Sequence, residues 1–309
     1  MRDRRAPRVM ALRTAPSGVR IWLMAARVRT LPAAASPVLV GTALAGFAGV
    51  FHPLRFLAAL IGALFIQIGT NLSNDYSDAR RGADTEDRLG PVRVTAGGLV
   101  PPRQVLVATY ATFGLAVLAG VYLTVVAGWQ LLVVGAASIL AGVLYTGGPR
   151  PYGYEGLGEV FVFLFFGIVA VAGSYFVQTR HLSWEAFALA VPVGLLAAGI
   201  LLVNNVRDVD TDRRAGKRTL AVRLGRERTR PVFAAVVYSA FLLAPVVWLF
   251  GPLKPWLLLS WLSLPLGARV VRTVRNHIDG PSLNRALAQS GLLQLTFCVL
   301  LSAGLLLSR

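Results

Sequence analysis

The chain reads as an all-α, polytopic membrane protein, a bundle of about nine transmembrane helices. Three observations carry this reading. Over 309 residues it is 55% hydrophobic and only 15% charged, whereas a soluble domain carries about 25% charged residues. Uncharged apolar runs long enough to cross a bilayer recur from one end to the other. Of 31 Lys and Arg residues, a nine-span arrangement puts 27 on one side and 4 on the other, the bias that orients membrane helices.

The spans follow in order. A basic tail, residues 1–20, contains Arg2, Arg4, Arg5, Arg8 and Arg13. The first apolar segment, roughly Ile21–Val50, is interrupted by Arg27, Arg29 and Pro32. Those two arginines also break the continuous apolar stretch that a cleaved leader requires. Leu54–Asn74 is the second span and runs directly into Asp75. Gln104–Val126 is the third. Gln130–Tyr145, the fourth, is short enough to be tilted or re-entrant. Leu157–Val177, Trp184–Asn204, Arg230–Phe250, Pro255–Val274 and Leu283–Leu307 complete the set. Short links carry turn residues, as at His52-Pro53, Ala127-Gly128 and Gly251-Pro252. Residues 21–309 therefore read as one transmembrane domain with the lipid bilayer as its first partner.

The net charge of +17 would suggest nucleic acid in a soluble protein. Here it follows from topology, and no nucleic-acid role is expected. The basic side, taken as cytoplasmic, holds the N-terminus and the loops after spans two, four, six and eight. The expected location is a multi-pass protein of the cytoplasmic membrane. A single cysteine, Cys298, excludes an intrachain disulfide and a cysteine-cluster metal site. His52, His181 and His277 fall in three separate loops without ligand spacing.

Two links are long, and nine of the chain's 14 acidic residues lie in and beside them. The first begins at the end of span two, where Asn71, Asp75 and Asp78 stand at i, i+4 and i+7, one face of a continuing helix. The second begins at the end of span six, where Asn204, Asp208 and Asp212 repeat the pattern. An even number of spans separates them, so they emerge on the same side. Asn71 to Asn204 and Asp75 to Asp208 share one offset, a hint of two parallel halves. Carboxylates at the mouth of an apolar segment are costly and mark an ion or substrate site. Hard oxygen ligands suit Mg²⁺, which bridges to phosphates. Glu86, Asp87 and Glu227 read instead as solvated loop acids.

Basic residues accompany the acids: Arg88, Arg93, Arg207, Arg213, Lys217 and Arg223. Arginine grips phosphate oxygens in pairs and lysine does so as a point charge. Their bland reading is the ordinary basic character of cytoplasmic loops. Arg27 and Arg29 differ, because they lie inside an apolar segment. Tyr145, Tyr152 and Tyr154 flank Thr146-Gly147-Gly148-Pro149-Arg150-Pro151. They fit an interfacial aromatic belt or a ring face that stabilises a cation.

These residues carry a resemblance. Asn71-Leu-Ser-Asn-Asp-Tyr-Ser-Asp78, with Gly82-Ala-Asp84, Arg88-Leu-Gly-Pro91 and Arg93, resembles the first motif of the UbiA superfamily of intramembrane prenyltransferases. Asn204-Asn-Val-Arg-Asp-Val-Asp-Thr-Asp212, with Gly216-Lys217, Thr219-Leu220 and Val222-Arg-Leu-Gly225, resembles the second. Trp22–Pro32 and Tyr145–Gly158 are similar to its N-terminal signature and its central loop. The branch most resembled is the one that prenylates 1,4-dihydroxy-2-naphthoate.

The resemblance implies a central cavity open to the bilayer beneath a cytoplasmic cap. It implies a polyprenyl diphosphate donor, an aromatic acceptor and Mg²⁺ held by Asp75, Asp78, Asp84, Asp208 and Asp212. It assigns catalysis to Asp75, Asp78, Asp208, Asp212 and Tyr145. Substrate binding falls to Asn71, Arg27, Arg29, Arg88, Arg93, Asn204, Arg207, Lys217 and Tyr154. Other acceptors in the superfamily are phylloquinone-type naphthoates, 4-hydroxybenzoate and homogentisate. A transporter with an acid-lined path is the rival from another class, and a membrane protein that only binds prenyl lipids is a third. Against the transporter, the acids cluster at one face and most spans are uncharged at their middle.

Overall fold

The computed structural model describes residues 17–83 and 89–309. Most of the expected basic tail, together with Asp84, Glu86, Asp87 and Arg88, lies outside the described residues. The helical chain begins earlier than the tail's expected end, at Gly18, with the Ser17 hydroxyl accepting from the Arg20 amide at 3.5 Å.

The helices are α1 (Gly18–Ala26), α2 (Leu31–Phe47), α3 (Pro53–Arg80), α4 (Pro102–Ala127), α5 (Gln130–Leu144), α6 (Gly158–Val162) and α7 (Ala170–Thr179). They continue with α8 (Trp184–Arg214), α9 (Leu220–Leu224), α10 (Arg226–Leu243), α11 (Val246–Phe250), α12 (Leu264–Asn276) and α13 (Gly280–Leu307). A π-helical segment, Phe163–Val169, joins α6 to α7, and no strand occurs among the described residues. Among the described residues, eight segments are long and apolar enough to cross a membrane, and the shorter apolar α5 makes a ninth. With 15 residues, α5 spans about 22 Å, well short of a hydrocarbon core of about 30 Å.

The first span is broken where the sequence placed its arginines. Arg27 caps α1 in the left-handed conformation at φ 51°, an uncommon place for a residue with a β-carbon. A single 3₁₀ turn, Val28–Thr30, then leads into α2. Two helices overshoot the bilayer instead. The 31 residues of α8 extend about 46 Å, so one end must stand outside a hydrocarbon core of about 30 Å. That end carries Asp208 and Asp212. In α3, 28 residues long, the corresponding end carries Asp75 and Asp78.

The core sits around α8, which packs against α10, α13 and the π-helical segment, while α3 packs along α4 and α13 along α2. Phe233, Phe297, Leu189, Leu202 and Leu301 are fully buried there. Between membrane helices, close backbone approach replaces hydrophobic drive. Gly41 of α2 shows it: a β-carbon there would lie 2.2 Å from the Val171 carbonyl oxygen of α7. Gly167 and Gly194 meet similarly, at 2.7 Å from a built β-carbon to the facing Cα. Large apolar side chains such as Val107, Leu118, Val125, Leu242 and Leu262 point outward, as a lipid-facing surface requires.

Candidate active site

One cavity of about 470 Å³ lies between α2, α3, α4, α5, the π-helical segment and α8. Most of its wall is apolar. Its polar end is built by helix periodicity from two helices. On α3, Gln67, Asn71, Asn74 and Asp78 recur at intervals of four, three and four and share one face. On α8, Leu201, Asn204, Asn205, Asp208 and Asp212 do the same. Arg27, Arg93, Tyr145, Tyr154 and Lys217 close this end. At the other end Val117 and Leu132, from α4 and α5, line the cavity and are also 47% and 56% exposed on the outer surface. The chamber thus has a charged head and an apolar mouth on the lipid-facing side.

Asp78 is the hub of the head. The Tyr154 hydroxyl donates to its Oδ1 at 2.6 Å, and Arg93 and Lys217 each approach Oδ2 at 3.4 Å. With 1% of its surface exposed, Asp78 would be costly as a lone charge, and two cations and a phenol offset that cost. Lys217 also sits 4.8 Å from the centre of the Tyr154 ring. The cap over this group is tied down by backbone and arginine bonds. Arg218 N–H donates to the Tyr154 carbonyl at 2.8 Å, and Arg223 donates to the Glu155 carbonyl at 2.7 Å. Arg81 donates to the carbonyls of Thr146 and Gly148.

Asn71 joins this end to the broken first span. Its Nδ2 donates to the Ala26 carbonyl at 3.0 Å and to the Thr30 hydroxyl at 3.1 Å. Gln67 also donates to Thr30, at 3.1 Å. Arg27 is thereby held at the cavity wall. Tyr145 packs edge-on against Tyr152, with ring centres 5.5 Å apart, and Tyr152 stacks on Phe161 at 4.0 Å. Burial holds the Tyr152 phenol above the ordinary tyrosine range, and it donates to the Ala141 carbonyl at 2.9 Å.

Three residues expected at the site do other work. Asp75 is 2% exposed and does not line the cavity. Its Oδ1 accepts from the Thr95 amide at 2.9 Å and its Oδ2 from the Val94 amide at 3.1 Å. The reason is angular: Asp75 lies about 60° round the helix from Asp78, toward the Arg93–Thr95 loop. Its geometry supports a loop anchor rather than the metal-clamp role expected of it. Arg207 likewise faces away from the cavity. Its guanidinium grips both oxygens of Asp208 and donates to Asn204 at 2.8 Å and Asn284 at 2.7 Å. It is bonded to two cavity residues and does not itself line the cavity. Arg29 is exposed and away from the cavity, so of the two intramembrane arginines only Arg27 reaches it. Asp84 and Arg88 lie outside the described residues.

Sequence reasoning missed Asn74, Asn205, Glu159 and Asn284. Asn74 is readable as the i+3 neighbour of Asn71, and its Oδ1 accepts from the Thr146 hydroxyl at 2.9 Å. Asn205 follows Asn204 directly. Asn284 gives no local signal, since it meets Arg207 from 77 residues away.

The donor set suits a hard divalent cation. Asp78, Asp208 and Asp212 offer only oxygen, and Asn71, whose Nδ2 is engaged by Ala26 and Thr30, adds a carboxamide oxygen. Among the described residues no three acidic, His or Cys side chains converge to hold a metal by themselves. That is the arrangement expected of an ion whose remaining ligands are water and substrate phosphate.

Comparison with known proteins agrees with this geometry. A profile of the UbiA prenyltransferase family matches residues 34–307. The 1,4-dihydroxy-2-naphthoate octaprenyltransferase of Mycobacterium tuberculosis is 41% identical over 92% of this chain and 96% of its own. The enzyme of the same name from Escherichia coli is 38% identical over 91% and 94%. A UbiA homologue from Archaeoglobus fulgidus, solved with DMAPP and Mg²⁺, superposes with a TM-score of 0.62 at 15% identity, over 91% of this chain and 99% of that one.

Proposed function

Because the chain belongs to the UbiA prenyltransferase family, we propose that it transfers a polyprenyl group from polyprenyl diphosphate to 1,4-dihydroxy-2-naphthoate. The carboxylate is lost as CO₂ and the product is demethylmenaquinol, a step of menaquinone biosynthesis. The observation that carries the reading is the single chamber with a charged head and an apolar body. It matches a donor whose anionic head and long tail must be held in different surroundings. Two close relatives bear the name of this activity.

Asp78, Asp208 and Asp212 would hold Mg²⁺ against the diphosphate. Bound there, Mg²⁺ neutralises negative charge on a departing diphosphate. Lys217 and Arg93 add positive charge beside Asp78, and Arg207 fixes Asp208 so that its oxygens hold one orientation. The allylic C–O bond breaks, and both its electrons leave with the diphosphate. The ring carbon bearing the carboxylate then supplies an electron pair to the allylic carbon. The bond to the carboxylate breaks next, its pair restores the aromatic ring, and CO₂ departs. Arg27 is the cavity cation placed to receive the acceptor carboxylate. The Tyr145 ring, at the cavity wall, shields the developing cation. The apolar wall excludes water that would quench it.

The same reading puts the protein in the cytoplasmic membrane with the charged head at the cytoplasmic face. The 27-to-4 distribution of basic residues supports that orientation. The test uses purified protein in detergent micelles with Mg²⁺, a polyprenyl diphosphate and competing acceptors, with CO₂ release followed. Prenylated naphthoate and CO₂ should appear in equal amounts. Preferential prenylation of 4-hydroxybenzoate, or prenylation of naphthoate without CO₂, would overturn the assignment.

A further inference from the structure

Glu159 opens α6 and is only 8% exposed. Its Oε1 accepts from Asn205 Nδ2 at 2.8 Å. Its Oε2 has no hydrogen-bond partner among the described residues. A half-satisfied carboxylate in an apolar bundle is expensive, by several kcal/mol of desolvation. Asn205 lines the cavity, 4% exposed, one residue beyond Asn204 on α8. Among the described residues, the bond to Glu159 is the one hydrogen bond its side chain makes. Because that bond engages Nδ2, the acceptor Oδ1 is the uncommitted end of a carboxamide that lines the chamber. Tyr145 stands close by: a β-carbon on Gly158, the residue before Glu159, would lie 3.3 Å from the Tyr145 ring edge and 3.7 Å from its hydroxyl. Neither Asn205 nor Glu159 is among the partners of Asp78.

We propose that Asn205 Oδ1 accepts a hydrogen bond from a ring hydroxyl of the aromatic acceptor, and that Glu159 is the positioning residue that keeps this oxygen turned into the cavity. The inference deepens the acceptor reading given above and rests on it. An unanchored carboxamide turns over readily, and its NH₂ would then face a hydroxyl that needs an acceptor. An ionised carboxylate opposes that, since it can only accept. The contact also gains strength during reaction. As the new C–C bond forms, positive charge spreads from the ring onto the oxygen of an adjacent hydroxyl, and its O–H becomes a better donor. An acceptor fixed in advance is worth more in that state than in the ground state. Asn205 therefore selects for acceptors with a free hydroxyl beside the reacting carbon.

The test compares native protein with Asn205→Ala, Glu159→Ala and Glu159→Gln in micelles. Dissociation constants are measured for 1,4-dihydroxy-2-naphthoate, 1-hydroxy-2-naphthoate and 4-hydroxy-2-naphthoate. In native protein, removing the hydroxyl beside the reacting carbon, as in 4-hydroxy-2-naphthoate, should weaken binding about tenfold, the size of one net hydrogen bond. In Asn205→Ala and Glu159→Ala the same removal should cost little more than nothing. Glu159→Gln should restore most of the native penalty, because its carbonyl oxygen still accepts from Nδ2. The KM for polyprenyl diphosphate should stay within about twofold in all of them, since a loss of tenfold or more there would report a disturbed head. An unchanged hydroxyl penalty in Asn205→Ala overturns the proposal. So does a Glu159→Gln variant that behaves like Glu159→Ala. If Glu159→Ala does not fold, Asn205→Ala and Glu159→Gln decide the matter. If naphthoates do not bind and 4-hydroxybenzoate does, the acceptor reading fails. The same comparison with benzoate then decides the Asn205 contact separately.

Discussion

Replacing Asp75 with Ala separates a loop anchor from a metal ligand. In the structure both carboxylate oxygens are taken by amides, Thr95 at 2.9 Å and Val94 at 3.1 Å, at a residue 2% exposed. Hydrogen bonds to a charged partner contribute about 1.5–3 kcal/mol each, so the loop loses about 3–6 kcal/mol of local stability when both go. Val94 and Thr95 are themselves buried, which leaves their two amides with no substitute acceptor. Local opening should become at least about a hundredfold more frequent at the lower figure. Hydrogen exchange at the Val94 and Thr95 amides should accelerate by that factor, while exchange in α10 stays unchanged. Arg93, freed from its loop, should approach Asp78 less often, and turnover should fall through a raised KM for the diphosphate. The Mg²⁺ concentration for half-maximal activity should move little. Unchanged protection of the two amides together with a large rise in the Mg²⁺ requirement would refute this reasoning and return Asp75 to the metal.

Arg27→Ala should weaken acceptor binding by about tenfold or more, the scale of a lost charge-assisted bond, whereas Arg29→Ala should leave it within about twofold. Kinetics against both substrates would check this contrast. Gly41→Ala places a methyl 2.2 Å from the Val171 carbonyl oxygen and should cost about 1–3 kcal/mol by overpacking, read as a lowered melting temperature in detergent while Gly114→Ala, with open space around it, melts as native. Cysteines at positions 180 and 214, in a Cys298→Ala background, should label from opposite sides of the membrane with an impermeant reagent. Labelling from the same side would remove the nine-span arrangement.

The spans were legible because bilayer insertion selects length and apolarity, which composition displays directly. Even the weakness of the fourth span showed, since the short run Gln130–Tyr145 cannot hide a deficit of length. Positions on the two acidic helices were readable to within a face, but not within that face. Asp75 and Asp78 differ by about 60° round α3, and only the placement of the Arg93–Thr95 loop decides which of them meets the cavity. Arg207 illustrates the same limit from another side. Its neighbours in sequence suggested a ligand-binding cation, yet Asn284 on α13 draws it outward, and no local pattern announces a partner so far along the chain. Arg27 and Arg29 were indistinguishable by composition. The left-handed turn at Arg27 sends them in different directions, and left-handed geometry at a residue other than glycine leaves no mark in the sequence.

The two ends of the chamber sort the products into separate phases. The reaction strips both anions from the lipid, the diphosphate from one substrate and the carboxylate from the other. What remains has no group for Arg27, Arg93 or Lys217 to hold, and its long chain already lies toward the mouth where Val117 and Leu132 meet the outside. Its surroundings there are apolar, whereas the diphosphate is left at the charged end. Reversal would need the lipid product and the aqueous diphosphate to meet again, with CO₂, in one small space. The separation also makes the capacity of the surrounding lipid, more than the aqueous concentration of product, the quantity that limits how far turnover can run.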